Sequence, residues 1–194
     1  MRIAERKARE KEDLRNLILQ GARKLFLQKG IEQTTIRSIA DAIGYSVGTV
    51  YVYFPSKDAI LYALHAEGFT HLSGQFKVLH HVPDPMERLR AMGKVYLKFA
   101  MENPDMYDLM FSVKAPMAFL STMNEEKWNE GKATFDALRT TIEQCMDTGH
   151  FKGHNLEPLA FMIWSLVHGM SSLEIGHRTK GVNLQSPLAI VDQA

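Results

Sequence analysis

Ser46, Gly48, Thr49, Tyr51 and Tyr53 fall within eight residues, with Lys57 four positions beyond and Arg37 nine positions before. Small residues let a helix approach a surface closely, and hydroxyls on rigid rings beside cations suit a polyanion. Such groups bind phosphate oxygens without reading sequence, while side chains near a helix N-terminus reach base edges. Arg37 suits either a guanine edge or the backbone. Bond-making chemistry has no comparable set. The chain has no glycine-rich phosphate loop after a strand, no nucleophile elbow and no evident pair of carboxylates, so neither an enzyme nor a cofactor is expected. Of the eight histidines, which include the adjacent His80 and His81, none pairs with another at four-residue spacing on a helix beside an acid. No metal site is expected.

The elements that must hold these residues are helical. No stretch alternates in the manner of a strand, and apolar residues recur at helical spacing almost throughout, so the fold class is all-α. A first helix over about Glu10 to Lys29 aligns Leu14, Ile18, Ala22, Leu25 and Phe26, with Gly30 as its left-handed cap. A short second helix carries Ile36, Ile39, Ala40 and Ile43 between a cap at Thr34 or Thr35 and Gly44. Ser46 caps a third, in which Val47, Val50, Tyr51 and Phe54 turn wholly or partly inward and Pro55 ends the run. A fourth starts at Ser56 or Lys57 and passes through Ile60, Leu61 and Leu64 to about Lys77. The middle two helices are too short to stand alone, so they must pack on the first and fourth. Two short helices joined by Gly44, Tyr45 and Ser46 form a helix-turn-helix, whose second helix is the exposed, groove-reading one.

The run Thr34-Thr35-Ile36-Arg37-Ser38-Ile39-Ala40, followed by Gly44-Tyr45-Ser46-Val47-Gly48-Thr49-Val50-Tyr51-Val52-Tyr53-Phe54-Pro55-Ser56-Lys57-Asp58, resembles the DNA-binding region of TetR-family regulators. The likeness extends over about residues 10 to 65. It implies an all-helical homodimer that binds a palindromic operator on double-stranded DNA and is released by a small molecule held in the C-terminal body. It further implies phosphate contacts from Thr35, Tyr51, Tyr53 and Lys57, and base or groove contacts from Arg37, Ser46, Val47, Gly48 and Thr49. Tyr45 departs from the small aliphatic residue common at that turn. The resulting expectation is a sequence-specific transcriptional regulator, a repressor before an activator; the rival is a helical ligand-binding protein without operator affinity.

Charge is distributed accordingly. Residues 1–60 hold eleven Lys/Arg and seven Asp/Glu, while the remainder holds twelve and fifteen, so a net +1 conceals a positive N-terminal part and a negative remainder. The positive part is the one with the motif. Residues before the first apolar face, including Arg2, Arg6, Lys7, Arg9 and Lys11, either extend that helix over a groove or form a solvated tail.

The break at His80-His81-Val82-Pro83-Asp84-Pro85 opens a second body. Domains are expected at 1–56 (helix-turn-helix with its basic extension), 57–82 (connecting helix) and 83–194 (ligand binding and dimerisation). Asp84, Pro85 and Glu87 start a helix to about Glu102; Asn103 and Pro104 start another to about Phe111; Lys114 to Met123 reads as loop. Long helices follow over about Asn124 to Met146 and, after Asn155, over about Leu156 to Ile175, and Ser186-Pro187 opens a last short one.

The helix ending at Ile175 is apolar nearly all round and needs cover on several sides. Ser165, Gly169, Ser172 and Gly176 form a stripe of small residues, read as dimer interface in preference to a tight intrachain crossing. Trp164-Ser165-Leu166-Val167-His168-Gly169 is similar to the Trp-x-x-x-His-Gly signature of the WHG-type C-terminal domain of some TetR-like regulators, as is Tyr96-Leu97-Lys98-Phe99-Ala100-Met101-Glu102-Asn103-Pro104. That resemblance implies a fold and a dimer but no particular ligand. Ten of the eleven methionines lie between Met86 and Met170; most read as core filling. Met106, Tyr107, Met110, Phe111, Met162, Trp164 and His168 are the expected lining of a pocket for an apolar effector, His168 being either its polar anchor or a core histidine. Cys145, the sole cysteine, reads as a packed hydrophobe in a reducing compartment. With no apolar run near the ~20 residues that span a bilayer, no membrane partner and a cytoplasmic location are expected.

Overall fold

The computed structural model describes residues 3–122 and 129–182, and every regular element among them is helical. The chain divides into two compact units, Met1–His65 with Val113–Glu126, and Ala66–Ser112 with Lys127–Ala194.

In the first unit, α1 (Ile3–Gln33) begins well before the first apolar face. Its early turns are solvent-exposed and carry the pairs Arg6–Glu10 (3.4 Å) and Glu12–Arg15 (3.9 Å), worth a few tenths of a kcal/mol each. At Gly30 the backbone leaves helical geometry (φ 81°, ψ 163°), so the expected cap is a break between two helical stretches. Thr34 is buried and donates its hydroxyl to the Gly30 carbonyl (2.8 Å). Thr35 is therefore the cap of α2 (Ile36–Ile43): its Oγ1 accepts from Ser38 N (3.1 Å) while Ser38 Oγ accepts from Thr35 N (3.0 Å). Gly44, at φ 73°, ends α2 in the left-handed region that a side chain would resist.

Ser46 caps α3 (Val47–Tyr53), and α4 (Lys57–Val78) follows with Ser56 Oγ accepting from Ala59 N (3.1 Å). Ile18, Leu19, Ala22, Ile39, Ala40, Val50, Phe54, Ile60 and Leu61 are among the buried apolar residues that these helices bring together. Crossing of α1 and α2 is close: a Cβ on Gly21 would lie 2.5 Å from Ile43 Cγ2. Tyr51 departs from its expected inward orientation and is exposed. In a helix this short one buried residue, Val50, leaves its neighbour 100° around the axis in solvent.

In the second unit, Asp84 caps α5 (Pro85–Glu102), accepting from Met86 N (2.8 Å) and Glu87 N (3.1 Å). Those two bonds hold its carboxyl below the usual carboxylate range. Next come α6 (Pro104–Phe111), α8 (Asn129–Asp147), α9 (Leu156–Ile175) and α10 (Arg178–Gly181), the last unforeseen in sequence. Leu89, Ile142, Cys145, Leu159 and Ala160 form the core shared by α5, α8 and α9; burial pushes the Cys145 thiol pKa up. The expected loop Lys114–Met123 is instead largely α7 (Ala115–Thr122), which groups with the first unit through Phe119 against Tyr62 (5.8 Å) and a buried Leu120. Its helicity comes from this packing, since no side-chain cap announces it. The short helix read from Ser186 lies outside the described residues, as does Asn124. No described helix is long and apolar enough to cross a membrane.

Candidate nucleic-acid interface and internal cavity

The N-terminus of α3 is held by two hydroxyls that also bond to each other. Ser46 Oγ accepts from Thr49 N (3.0 Å) and lies 2.8 Å from Thr49 Oγ1, so both expected base readers are ordered before any ligand arrives. Gly48 is exposed, Val47 half-buried, and Tyr51 is 52% exposed, with Tyr53 half-buried. Arg37 is exposed on α2, and Thr35 is exposed at the α2 cap. Arg37, Ser46, Gly48, Tyr51 and Thr35 thus all reach solvent on the helix pair. Lys57 is half-buried at the start of α4 and donates its Nζ to the Ile31 carbonyl (2.8 Å). An ammonium has three donors, so this tether to the end of α1 leaves two for a phosphate. Beside α3, Lys7, Glu10, Lys11, Leu14 and Leu17 of α1 share an open groove with Tyr45, Val52 and Tyr53. The basic extension is thus helical and mixed in charge.

Within the second unit, α4, α5, α6, α8 and α9 enclose a cavity of about 330 Å³. Phe69, Leu72, Phe76, Leu89, Met92, Phe135, Leu138, Val167 and the rings of Phe111, Phe161 and Trp164 make an almost wholly apolar wall. Of the seven expected lining residues, Phe111 and Trp164 line it. Met106 and Met110 are buried against Gly68, where a Cβ would lie 2.9 Å from Met106 Sδ and 2.5 Å from Met110 Sδ; they fill the α4–α6 contact. Met162 is exposed and outside the lining.

Tyr107 and His168 form a polar cluster with Tyr96. Tyr107 Oη lies 2.7 Å from His168 Nδ1 and donates to the His168 carbonyl at 3.1 Å, while Tyr96 Oη lies 3.2 Å from the same Nδ1. Burial lowers the His168 pKa and raises both tyrosines, Tyr107 up to about 12, so all three are neutral near pH 7. Of the three, Tyr96 lines the cavity. Sequence reading missed Tyr96 and the α4, α5 and α8 lining because core and cavity positions show the same apolar periodicity.

On α9, Ser165 and Ser172 are exposed among Met162, Leu166 and Leu173, and a Cβ added to Gly169 meets nothing within 4 Å among the described residues. At Gly176 a Cβ would lie 3.1 Å from the Ser172 carbonyl, so its own helix end accounts for that glycine.

Comparison with known proteins matches both units. Residues 18–64 match the model of bacterial regulatory proteins of the tetR family, and residues 89–194 match the tetracyclin repressor-like C-terminal domain. The chain is 25% identical to the HTH-type transcriptional repressor AcnR of Corynebacterium efficiens over 87% of its length and 86% of that protein's. It is 45% identical over 56 residues to the uncharacterized HTH-type regulator YuxN of Bacillus subtilis, covering 29% of this chain and 18% of YuxN. Among solved structures, FadR of Bacillus subtilis, in complex with stearoyl-CoA, superposes with TM-score 0.71 at 15% identity over 91% of this chain and 93% of FadR. A protein of unknown function from Rhodococcus sp. RHA1 gives TM-score 0.73 at 20% identity, covering 92% of this chain and 89% of the other. With both units matched, the second over more than half of the residues, the chain belongs to the TetR family of bacterial DNA-binding transcriptional regulators.

Proposed function

We propose that the protein is a homodimeric repressor that occupies a palindromic operator and is released by a small, largely apolar effector. The apolar cavity of the second unit is the observation that carries this reading. It falls in the size range of small-molecule sites and has few polar lining groups. AcnR bears the name of a repressor, and FadR was solved with an acyl thioester.

Thr35, Tyr51, Tyr53 and Lys57 hold phosphates, while Arg37, Ser46, Val47, Gly48 and Thr49 approach the bases. Two recognition helices, one per protomer, enter successive major grooves about 34 Å apart. The exposed α9 face with Ser165, Gly169 and Ser172 supports association of two copies, since no close neighbour within the described chain accounts for Gly169. Gly176 lies at the end of that stripe, although the crowding of its own helix end already accounts for a glycine there. Release follows if the effector binds the non-operator conformation more tightly, with a coupling of typically ~1–3 kcal/mol.

Fluorescence anisotropy on labelled DNA from upstream of the protein's own gene tests the reading. Binding should be specific over random DNA, fall steeply with salt and reverse on adding a lipophile. Equal affinity for random DNA at every salt concentration would remove the operator, and insensitivity to all lipophiles would remove the effector.

A further inference from the structure

We propose that the cavity takes an uncharged lipophile carrying one hydrogen-bond acceptor, and that the Tyr96 hydroxyl donates to that acceptor. This rests on the reading of the cavity as the effector site.

Competition for one nitrogen is the first support. His168 Nδ1 has either one lone pair or one proton, yet two phenols address it, Tyr107 at 2.7 Å and Tyr96 at 3.2 Å. Tyr107 is the closer and donates its single proton to the His168 carbonyl, so at 2.7 Å its oxygen accepts from Nδ1–H, which leaves no lone pair on that nitrogen for Tyr96. The Tyr96 hydroxyl is the more distant of the two and lines the cavity, so its proton is the one a ligand acceptor can take.

Charge among the lining residues is the second. Thr134 donates its hydroxyl to the Glu130 carbonyl of its own helix (2.8 Å), and Lys132 is an exposed side chain with its ammonium on Asp136 (2.6 Å). Among the described residues no other lining side chain bears a formal charge. A carboxylate brought to Tyr96 would lose its hydration without meeting a cation, which costs several kcal/mol in an apolar site. A ketone, ester or alcohol carbon chain loses far less and gains the Tyr96 bond.

The experiment places Trp164 alone as reporter by Trp128→Phe, since the chain has two tryptophans. Quenching is titrated with four probes of one chain length: n-octane, methyl hexyl ketone, octanoate and octyltrimethylammonium. In the wild-type cavity the ketone should bind about tenfold more tightly than either ion. Tyr96→Phe should weaken the ketone about three- to tenfold, the effect of one hydrogen bond, and leave n-octane unchanged. Circular dichroism verifies that this variant folds, and the selectivity among neutral and charged probes is read on unsubstituted Tyr96. An ion that binds as tightly as the ketone overturns the uncharged ligand, and equal losses for ketone and n-octane overturn the role of Tyr96. If none of the four quenches Trp164, the cavity reading itself fails, and this proposal with it.

Discussion

Both α3 and α9 turn a face to solvent, and the two faces are chemically opposite. On α3 the exposed groups are mainly hydroxyls and backbone, with Ser46 and Thr49 bonded to each other and Tyr51 extended outward, and the single apolar side chain Val52 stands 76% exposed beside them. On α9 they are Met162 and Leu166, each 63% exposed, with Leu173 and small residues between. Water solvates the first face well and the second poorly, so the first suits a hydrated, charged partner and the second an apolar one. Salt should separate them. Raising ionic strength screens phosphate contacts and releases no counterions from an apolar seam, so DNA affinity falls while association through α9 holds or tightens.

The contrast breaks most visibly at Leu166. Leu166→Glu puts a charge on the uncovered face, and if α9 is the interface the dimer should weaken at least ~100-fold, the cost of an unpaired buried carboxylate. Sedimentation velocity reads this; an unchanged dimer would assign the face elsewhere. Next in size, Arg37→Ala should remove about 1–3 kcal/mol of discrimination between the operator and single-base variants. A uniform loss across all sites would move Arg37 to the backbone contacts. Lys57→Ala should do what Arg37→Ala does not: weaken all DNA alike and lower the salt slope by about one phosphate. Because its Nζ also holds the Ile31 carbonyl, thermal melting should show a loss of about 1 kcal/mol as well. Tyr51→Phe removes one exposed hydroxyl and should weaken binding to every sequence by about 1 kcal/mol without changing Tm.

A last test distinguishes buried histidines. His168 has two phenol partners, whereas His65 is fully buried beside Tyr62 and its pKa is lowered to about 4 by burial. A depressed histidine pKa favours the neutral form, so its stabilisation is complete above the unfolded value of 6.5 and declines as pH falls from there toward 4. Melting curves over that window should drop less steeply for His65→Gln than for the wild type.

Local signals were legible where side chains satisfy backbone groups. Ser46, Asp84 and Gly44 sit where their chemistry requires, which placed α2, α3 and α5 from sequence. The choice between Thr34 and Thr35 was not legible, because both can cap; the turn at Gly30 captures the Thr34 hydroxyl and leaves Thr35 free. For the same reason α7 was missed, since it carries no cap and is fixed by Phe119 and Leu120.

What the sequence determined by itself is most of the helices, α7 and α10 excepted, and the capped start of α3, because caps, breakers and hydroxyl spacing act within a few residues. Tertiary structure alone decided that Met106 and Met110 are filling against Gly68, that Lys57 is tethered to Ile31, and that Tyr96 is the phenol facing the cavity. Those facts depend on distances between elements far apart in the chain. An apolar periodicity records that a face is covered, not whether the space beyond it is filled by a methionine or left open for a ligand.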